Sequence, residues 1–417
     1  MRLTNWLKWD CSQMTSSRQH RSRSVTRRRE RARAHSQRQG ECLETRALLT
    51  TGPGDLLIYY GYPSLINQAA SVSAATAQFV PYEFVVLGAG LEEASHDDHA
   101  NTQAIVTAPA TDSTKFFGYV DLGVSTNNFS IGVLQAKIDN WAATGVNGIF
   151  LDDYGYDFGV TRTRQNAVVD YAHGRGLPVV ANGFFINEVF GSAVDATFNP
   201  SGSVTHLAAS DYYLSESYQI AEGSYVSEPV WRAKSDALAA VRATLPIQVL
   251  AVTTDDSANV FDQAQFDFAW YSGLLDGDAG VGWGQFEFAS GDNVAPYRTP
   301  PTAPVELAGS GGIAQTISVY SRRVANDLAT VSVNASTHTG QLTFLSDFGD
   351  APDTTSGTGT GNYQTLIANA GPSHHHPVPG PSVEPTKVSN LNCRTSSTNF
   401  LSQRCRNASI RCSEFIA

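Results

Sequence analysis

The chain has 417 residues, of which 41% are hydrophobic and 10% aromatic. That is enough apolar material for a large core, which excludes a small disulfide-stapled fold and a wholly disordered chain. The net charge of −11 is unevenly spread: residues 1–49 carry 12 basic and 4 acidic side chains, residues 372–417 carry 5 and 2, and residues 50–371 carry 11 and 33. A body at −22 repels phosphates and anionic membranes, so its expected partners are neutral or cationic and no nucleic-acid partner is expected.

The five cysteines, Cys11, Cys42, Cys393, Cys405 and Cys412, all lie outside that body. Its core therefore needs no disulfide or thiolate metal site, and no metal or cofactor is expected. No apolar run approaches the roughly 18 residues that span a bilayer, so no membrane span is expected either.

Residues 1–49 run through Arg18, Arg21, Arg23, Arg27, Arg28, Arg29, Arg31 and Arg33 with Ser and Gln between. Such a composition buries nothing and reads as a disordered basic leader. It closes on Glu41-Cys42-Leu43-Glu44-Thr45-Arg46-Ala47-Leu48-Leu49, which resembles the leader of many planctomycete exported proteins. The resemblance implies a secreted or cell-surface location.

From residue 55 short apolar runs alternate with amphipathic stretches. Strands are predicted at 56–60, 84–87, 116–120, 148–151, 177–181, 211–214, 247–252 and 281–286, and helices at 66–79, 99–107, 131–144, 164–175, 184–193, 229–243 and 260–275. Continuous apolar runs suit parallel strands covered by helices. In 131–144, Ile131, Leu134, Ile138, Trp141 and Ala142 share one face and Gly145 follows the end. Eight such strands within about 250 residues predict an α/β fold, a (β/α)8 TIM barrel over 50–304. The runner-up, a doubly wound sheet, lacks a Gly-rich loop after the first strand, where Tyr60-Gly61-Tyr62-Pro63 stands.

Residues 305–346 alternate as a short β-rich extension, expected to close the barrel bottom or to form a small appendage. Residues 347–374, with Asp347-Phe348-Gly349-Asp350-Ala351-Pro352-Asp353 and Asn362-Tyr363-Gln364-Thr365-Leu366, resemble the start of a GEVED-type module of bacterial surface proteins. The rest of such a module does not follow. Residues 375–417 turn basic and aperiodic, as a disordered tail or a lost reading frame would.

Barrel enzymes carry their chemistry at the C-terminal ends of the strands. Those positions hold Tyr60 and Tyr62, Tyr119 and Asp121, Asp152 and Asp153, Asn182, Glu216, Thr253-Thr254-Asp255-Asp256, and Trp283, Gln285 and Glu287. Carboxylates follow five of the eight strands, and like charges gathered at one rim are costly without a use. Acids with Tyr and Trp suit glycoside hydrolysis, or hard-cation binding by oxygen ligands. No Gly-x-Ser-x-Gly elbow occurs. His173 and His206 lack a partner motif for zinc, and His96-Asp97-Asp98-His99 reads as a polar loop entering a helix.

The runs Leu56-Leu57-Ile58-Tyr59-Tyr60, Phe117-Gly118-Tyr119-Val120, Gly148-Ile149-Phe150-Leu151-Asp152-Asp153 and Pro178-Val179-Val180-Ala181-Asn182 resemble the spherulin-4-like and endo-alpha-1,4-polygalactosaminidase glycosidases, over about residues 55–290. The resemblance implies a barrel that cleaves a polysaccharide or oligosaccharide containing amino sugars, with Asp152 as nucleophile and Glu216 as acid/base. Around them Tyr60, Tyr62, Tyr119 and Trp283 would stack on sugar rings, and Asp121, Asp153, Asn182 and Glu287 would bind hydroxyl or amino groups. Bland readings stand beside these. Asp152-Asp153 could cap the next segment, the aromatics could plug the barrel, and Asp255-Asp256 reads as the cap of helix 260–275. A catalytically silent carbohydrate-binding or cell-surface barrel is the alternative function.

Overall fold

The structure, a computed structural model, describes residues 51–344. The leader, the GEVED-like segment and the basic tail lie outside the described residues. Eight parallel strands close into a barrel in chain order: β1 (Gly54–Tyr59), β2 (Phe84–Leu87), β3 (Lys115–Asp121), β4 (Gly148–Asp152), β5 (Val179–Asn182), β6 (Tyr212–Ser215), β7 (Gln248–Val252) and β8 (Gly280–Gly282), with β8 paired to β1. This is the expected (β/α)8 TIM barrel. The strands from β1 to β7 fall within about two residues of their predicted bounds, and β8 is shorter than predicted, ending at Gly282.

Helices α1 (Val72–Phe79), α2 (His99–Val106), α3 (Ile131–Thr144), α4 (Arg162–Gly174), α5 (Ile186–Phe190), α6 (Glu228–Arg242) and α7 (Gln263–Asp276) stand between the strands. Local chemistry sets α3: the Ser130 hydroxyl accepts from the Val133 N–H, and Gly145 ends the helix at φ 98°, a left-handed turn a side chain would resist. Its face of Leu134, Ile138 and Trp141 is fully buried, each such side chain contributing about 1.5–3 kcal/mol. Helix α7 is capped by Asp262, whose carboxylate accepts from the Ala264 and Gln265 N–H groups. Asp255-Asp256 is therefore not the cap, because the six residues 257–262 still separate it from the first helical turn.

Strand parity sorts the side chains. Leu56, Ile58, Phe84, Val86, Phe117, Phe150, Val180, Tyr212, Leu214, Leu250 and Val252 pack together inside the barrel. Tyr212 meets Phe84 and Phe117 edge-on at 5.8 and 5.4 Å, so the barrel is plugged below its C-terminal mouth, and a ligand can enter only there. The residues of opposite parity, such as Leu57, Val85, Ile149, Leu151 and Tyr213, pack against the helices.

After the barrel, β9 (Ala314–Thr316), β10 (Val319–Val324), β11 (Ala329–Asn334) and β12 (Thr339–Phe344) form an antiparallel four-stranded sheet. Tyr320, Val324, Val331 and Val333 from its inner face share an apolar cluster with Phe266, Trp270 and Leu274 of α7. The predicted β-rich extension is thus a sheet laid on the flank of the barrel.

Candidate active site

The mouth is built by the ends of β1, β3, β4, β5 and β6. Asp152 ends β4, Asn182 ends β5, and Glu216 follows β6 directly. All three continue the inward parity of their strands. The Asn182 side-chain amide donates to Oδ1 of Asp152 at 2.8 Å and to Oε2 of Glu216 at 2.9 Å. Two carboxylate oxygens at those distances from one nitrogen stand no more than 5.7 Å apart.

Burial, with the neighbouring charge of Asp153, pushes the Asp152 carboxyl up to about 7, against the opposing effect of the Tyr119 hydroxyl. Asp153 lies at φ 53°, in the left-handed region. Burial and the Asp121 charge raise its carboxyl to about 6. Tyr60 lies edge-on to Tyr119 at 5.5 Å and to Phe288 at 5.2 Å. Burial and the nearby Asp152 hold both phenols protonated. Tyr60, Tyr119, Asp152, Asp153, Asn182 and Glu216 thus come together.

Four other expectations fare differently. Trp283 has outward parity: its ring is buried against Phe261 at 5.1 Å and Phe266 at 6.4 Å. It belongs to the packing between barrel and α7, so it is not a stacking surface in the mouth. Asp121 is buried and spends its oxygens on its own loop, accepting from the Gly123 N–H at 2.7 Å, the Thr126 hydroxyl at 2.8 Å and the Asn127 amide. It shapes the rim instead of presenting a free acceptor to a sugar. Tyr62 is exposed on the rim, edge-on to His96 at 4.9 Å. Glu287 is exposed on the turn that delivers Phe288 to Tyr60.

Three residues that support the mouth escaped the sequence reading. Arg162, fully buried, donates to the carbonyls of Glu188, Val189 and Gly191, and the Glu188 carboxylate accepts from the Tyr156 N–H at 2.7 Å. These bonds tie α5 and Gly191 just past it to the start of α4 and to Tyr156 in the segment after β4. Lys234 on α6 donates to the Glu216 carbonyl at 3.1 Å, and burial lowers its ammonium to about 8. A signal existed for Lys234: it sits one turn from both Trp231 and Leu238 on the buried face of its helix. The His96–His99 segment is a polar loop as expected, with Asp98 accepting from the Ser64 N–H and the Asn101 amide. Among the described residues no three His, Cys, Asp or Glu side chains gather as a metal site, and no helix is long and apolar enough to cross a membrane.

No protein-family model and no curated protein matches the chain. Solved structures do. The glycoside hydrolase domain of PelA from Pseudomonas aeruginosa is 14% identical, with a TM-score of 0.35 over 56% of this chain and 95% of that one. Ega3 from Aspergillus fumigatus, solved in complex with galactosamine, is 12% identical, with a TM-score of 0.35 over 58% and 93%. A dihydrodipicolinate synthase from Agrobacterium tumefaciens is 10% identical, with a TM-score of 0.32 over 55% and 69%. At these identities and scores the likenesses carry no functional argument, and the function has to be read from the site itself.

Proposed function

We propose that the protein is an exported glycoside hydrolase acting on a polysaccharide that contains amino sugars. The observation that carries this reading is the single Asn182 amide held between Asp152 and Glu216. Two carboxyl groups about 5 Å apart are the spacing a retaining glycosidase needs, one to attack and one to protonate, and a limit of 5.7 Å between their nearest oxygens is compatible with it.

In this reading Asp152 is the nucleophile. Asn182 and the Tyr119 hydroxyl partly offset the burial and the Asp153 charge that raise its carboxyl to about 7, so the oxygen that attacks the anomeric carbon is ionised above that pH. Glu216 protonates the glycosidic oxygen as the C–O bond breaks. Glu216 then takes a proton from water, whose oxygen displaces Asp152 from the sugar. Tyr60 and Tyr119 offer ring surfaces to the sugar. Asp153, beside the pair, would hold a hydroxyl or ammonium group, with Tyr62 and Glu287 further out on the rim. The preference for a cationic sugar is supported by Asp152, Asp153 and Glu216 sharing one mouth, within a body of 33 acidic and 11 basic side chains. Export is supported by the leader pattern ending at Leu49.

The test is hydrolysis of a deacetylated galactosamine polymer, and of neutral glycans for comparison, by the full chain. Asp152→Asn should lower kcat by roughly 10⁴ while substrate still binds. Turnover untouched by that substitution removes Asp152 from the mechanism. Binding without turnover in the unsubstituted protein supports a silent carbohydrate-binding barrel instead.

A further inference from the structure

The most exposed Phe, Tyr or Trp side chains among the described residues are Phe184 and Phe185, at 57% and 55%. They follow β5 two and three residues after Asn182, whose amide lies between Asp152 and Glu216. Phe has no polar tip to meet water, so adjacent exposed rings on a rim mark a surface that something covers.

Three loops hold this surface in place. The Phe184 ring lies near-parallel to that of Phe158, at 6.0 Å and 28°. Phe158 ends the 3-10 turn Tyr156–Phe158 after β4, and its carbonyl accepts from the Val124 and Ser125 N–H groups of the loop after β3, at 2.9 and 3.0 Å. Gly159 closes the turn at φ 76°, in the left-handed region, and a Cβ there would stand 3.2 Å from the Val124 side chain, itself on the surface. An apolar strip thus runs over Phe184, Phe158 and Val124, and it is continuous with the mouth. A Cβ on Gly183 would lie 3.5 Å from the Gly155 nitrogen, so the chain leaving β5 runs against the chain leaving β4. A Cβ on Gly123 would lie 3.0 Å from that of Asp153, which sets the neighbour of Asp152 against the loop that carries Val124.

Carboxylates accompany the strip. A Cβ on Gly155 would stand 2.1 Å from Oδ1 of Asp157 and 3.1 Å from Oε2 of Glu188, so both carboxylates fold over the same glycine. Among the described residues no Lys, Arg or His pairs with Asp153, Asp157 or Glu188. Such neighbours repel when ionised, and a cation between them removes the repulsion. The same acids choose the occupant of the strip. They repel an anionic membrane, and a second copy of the chain packed here by two-fold symmetry would bring its own acids against them. A sugar ring with an amino group meets both demands, its C–H face on an aromatic ring and its ammonium on a carboxylate.

We propose that Phe184 and Phe158, with Asp157 and Glu188, form a second sugar subsite that takes a further unit of the polymer whose reacting unit lies in the mouth. Phe184 is the platform, and the carboxylates over Gly155 receive the amino group. The inference rests on the amino-sugar reading of the mouth and deepens it: affinity should grow with the length of the sugar chain.

Calorimetric titration of the full chain carrying Asp152→Asn, which spares the ligand, with galactosamine and with its deacetylated dimer and tetramer tests this. Affinity should rise about tenfold from monosaccharide to tetramer, and Phe184→Ala should remove most of that rise. Asp157→Asn should weaken the tetramer about fivefold and leave an N-acetylated tetramer unaffected. Affinity that does not rise with length, or a rise that survives Phe184→Ala, overturns the subsite and leaves the reading of the mouth standing. Tetramer binding untouched by Asp157→Asn overturns it as well. Absence of binding by monosaccharide and oligomers alike overturns the amino-sugar reading together with the subsite. A dimer in sedimentation velocity that Phe184→Ala turns into a monomer would show that a second copy covers the strip, and overturns the proposal. Should Phe184→Ala not fold, Phe184→Leu, which keeps the apolar bulk and loses the flat face, must remove the rise instead, and an unchanged rise there overturns the proposal equally.

Discussion

The indole N–H of Trp141 donates to the backbone carbonyl of Tyr119 at 2.9 Å. Trp141 belongs to α3, outside the barrel, whereas the Tyr119 ring lies inside it against Tyr60 and Phe150. The strand between them is thin because Gly118 has no side chain: a Cβ there would stand 2.1 Å from the indole. An outer helix therefore sets the position of a residue whose hydroxyl favours the Asp152 anion.

Trp141→Phe keeps most of the packing and leaves the buried Tyr119 carbonyl without its donor. We expect a loss of about 1–3 kcal/mol in urea unfolding. If the bond also positions Tyr119, kcat falls at temperatures where the variant is still fully folded.

Gly118→Ala drives a methyl group into the Trp141 ring, which is fully buried and has no room to retreat. Overpacking of this kind costs about 1–3 kcal/mol, and more where the backbone cannot shift. A lower thermal midpoint is the expected result, and an unchanged one would mean that α3 moves freely.

Removing the shared donor with Asn182→Ala leaves two carboxylates facing each other without a bridge. The loss favours the protonated form of Asp152, so the acid limb of the kcat/KM profile should move to higher pH. A drop in kcat of about 10² is expected. The pH–rate profile separates this effect from a merely structural loss, which would leave the limb in place.

Stability should depend on Asp152 in a definite direction. Its carboxyl is held at about 7 in the folded chain, against about 3.9 in an unfolded one. The folded state thus binds this proton more tightly, and ionisation costs stability progressively as pH rises from about 4 to 7. Asp152→Asn removes that cost. It should stabilise the protein by about 1–3 kcal/mol at pH 8, an amount discounted for partial exposure to solvent, and hardly at all near pH 4. Urea titrations at the two pH values check the sign; a gain confined to pH 4 would reverse it.

Apolar runs and amphipathic spacing placed seven of the eight strands, and six of the seven helices to within about three residues, because burial against water acts locally on period and length; the helix expected at 66–79 begins only at Val72, where Ser71 caps it. Asp152, Asn182 and Glu216 were legible for the same reason, since each stands where a buried run ends. Trp283 was misread. β8 is buried on both faces, so its run of residues carries no alternation to say which side chains face the lumen. Asp121 was misread because nothing along the chain foretells that Thr126 and Asn127 fold back on it.

The linear order of residues determined that a barrel forms, where seven of its eight strands run, and which acids stand at their C-terminal ends. Only closure decided which of those acids meet. Neighbouring β4, β5 and β6 pair in register, bringing residues 30 and 34 positions apart within reach of one amide. Arg242 of α6 and Arg322 of β10 are a sharper case: they lie 80 positions apart in the chain and line one hollow because the sheet of β9–β12 packs on α7. Periodicity reports burial along one element at a time, whereas the meeting of charges from distant elements is settled by how the elements pack.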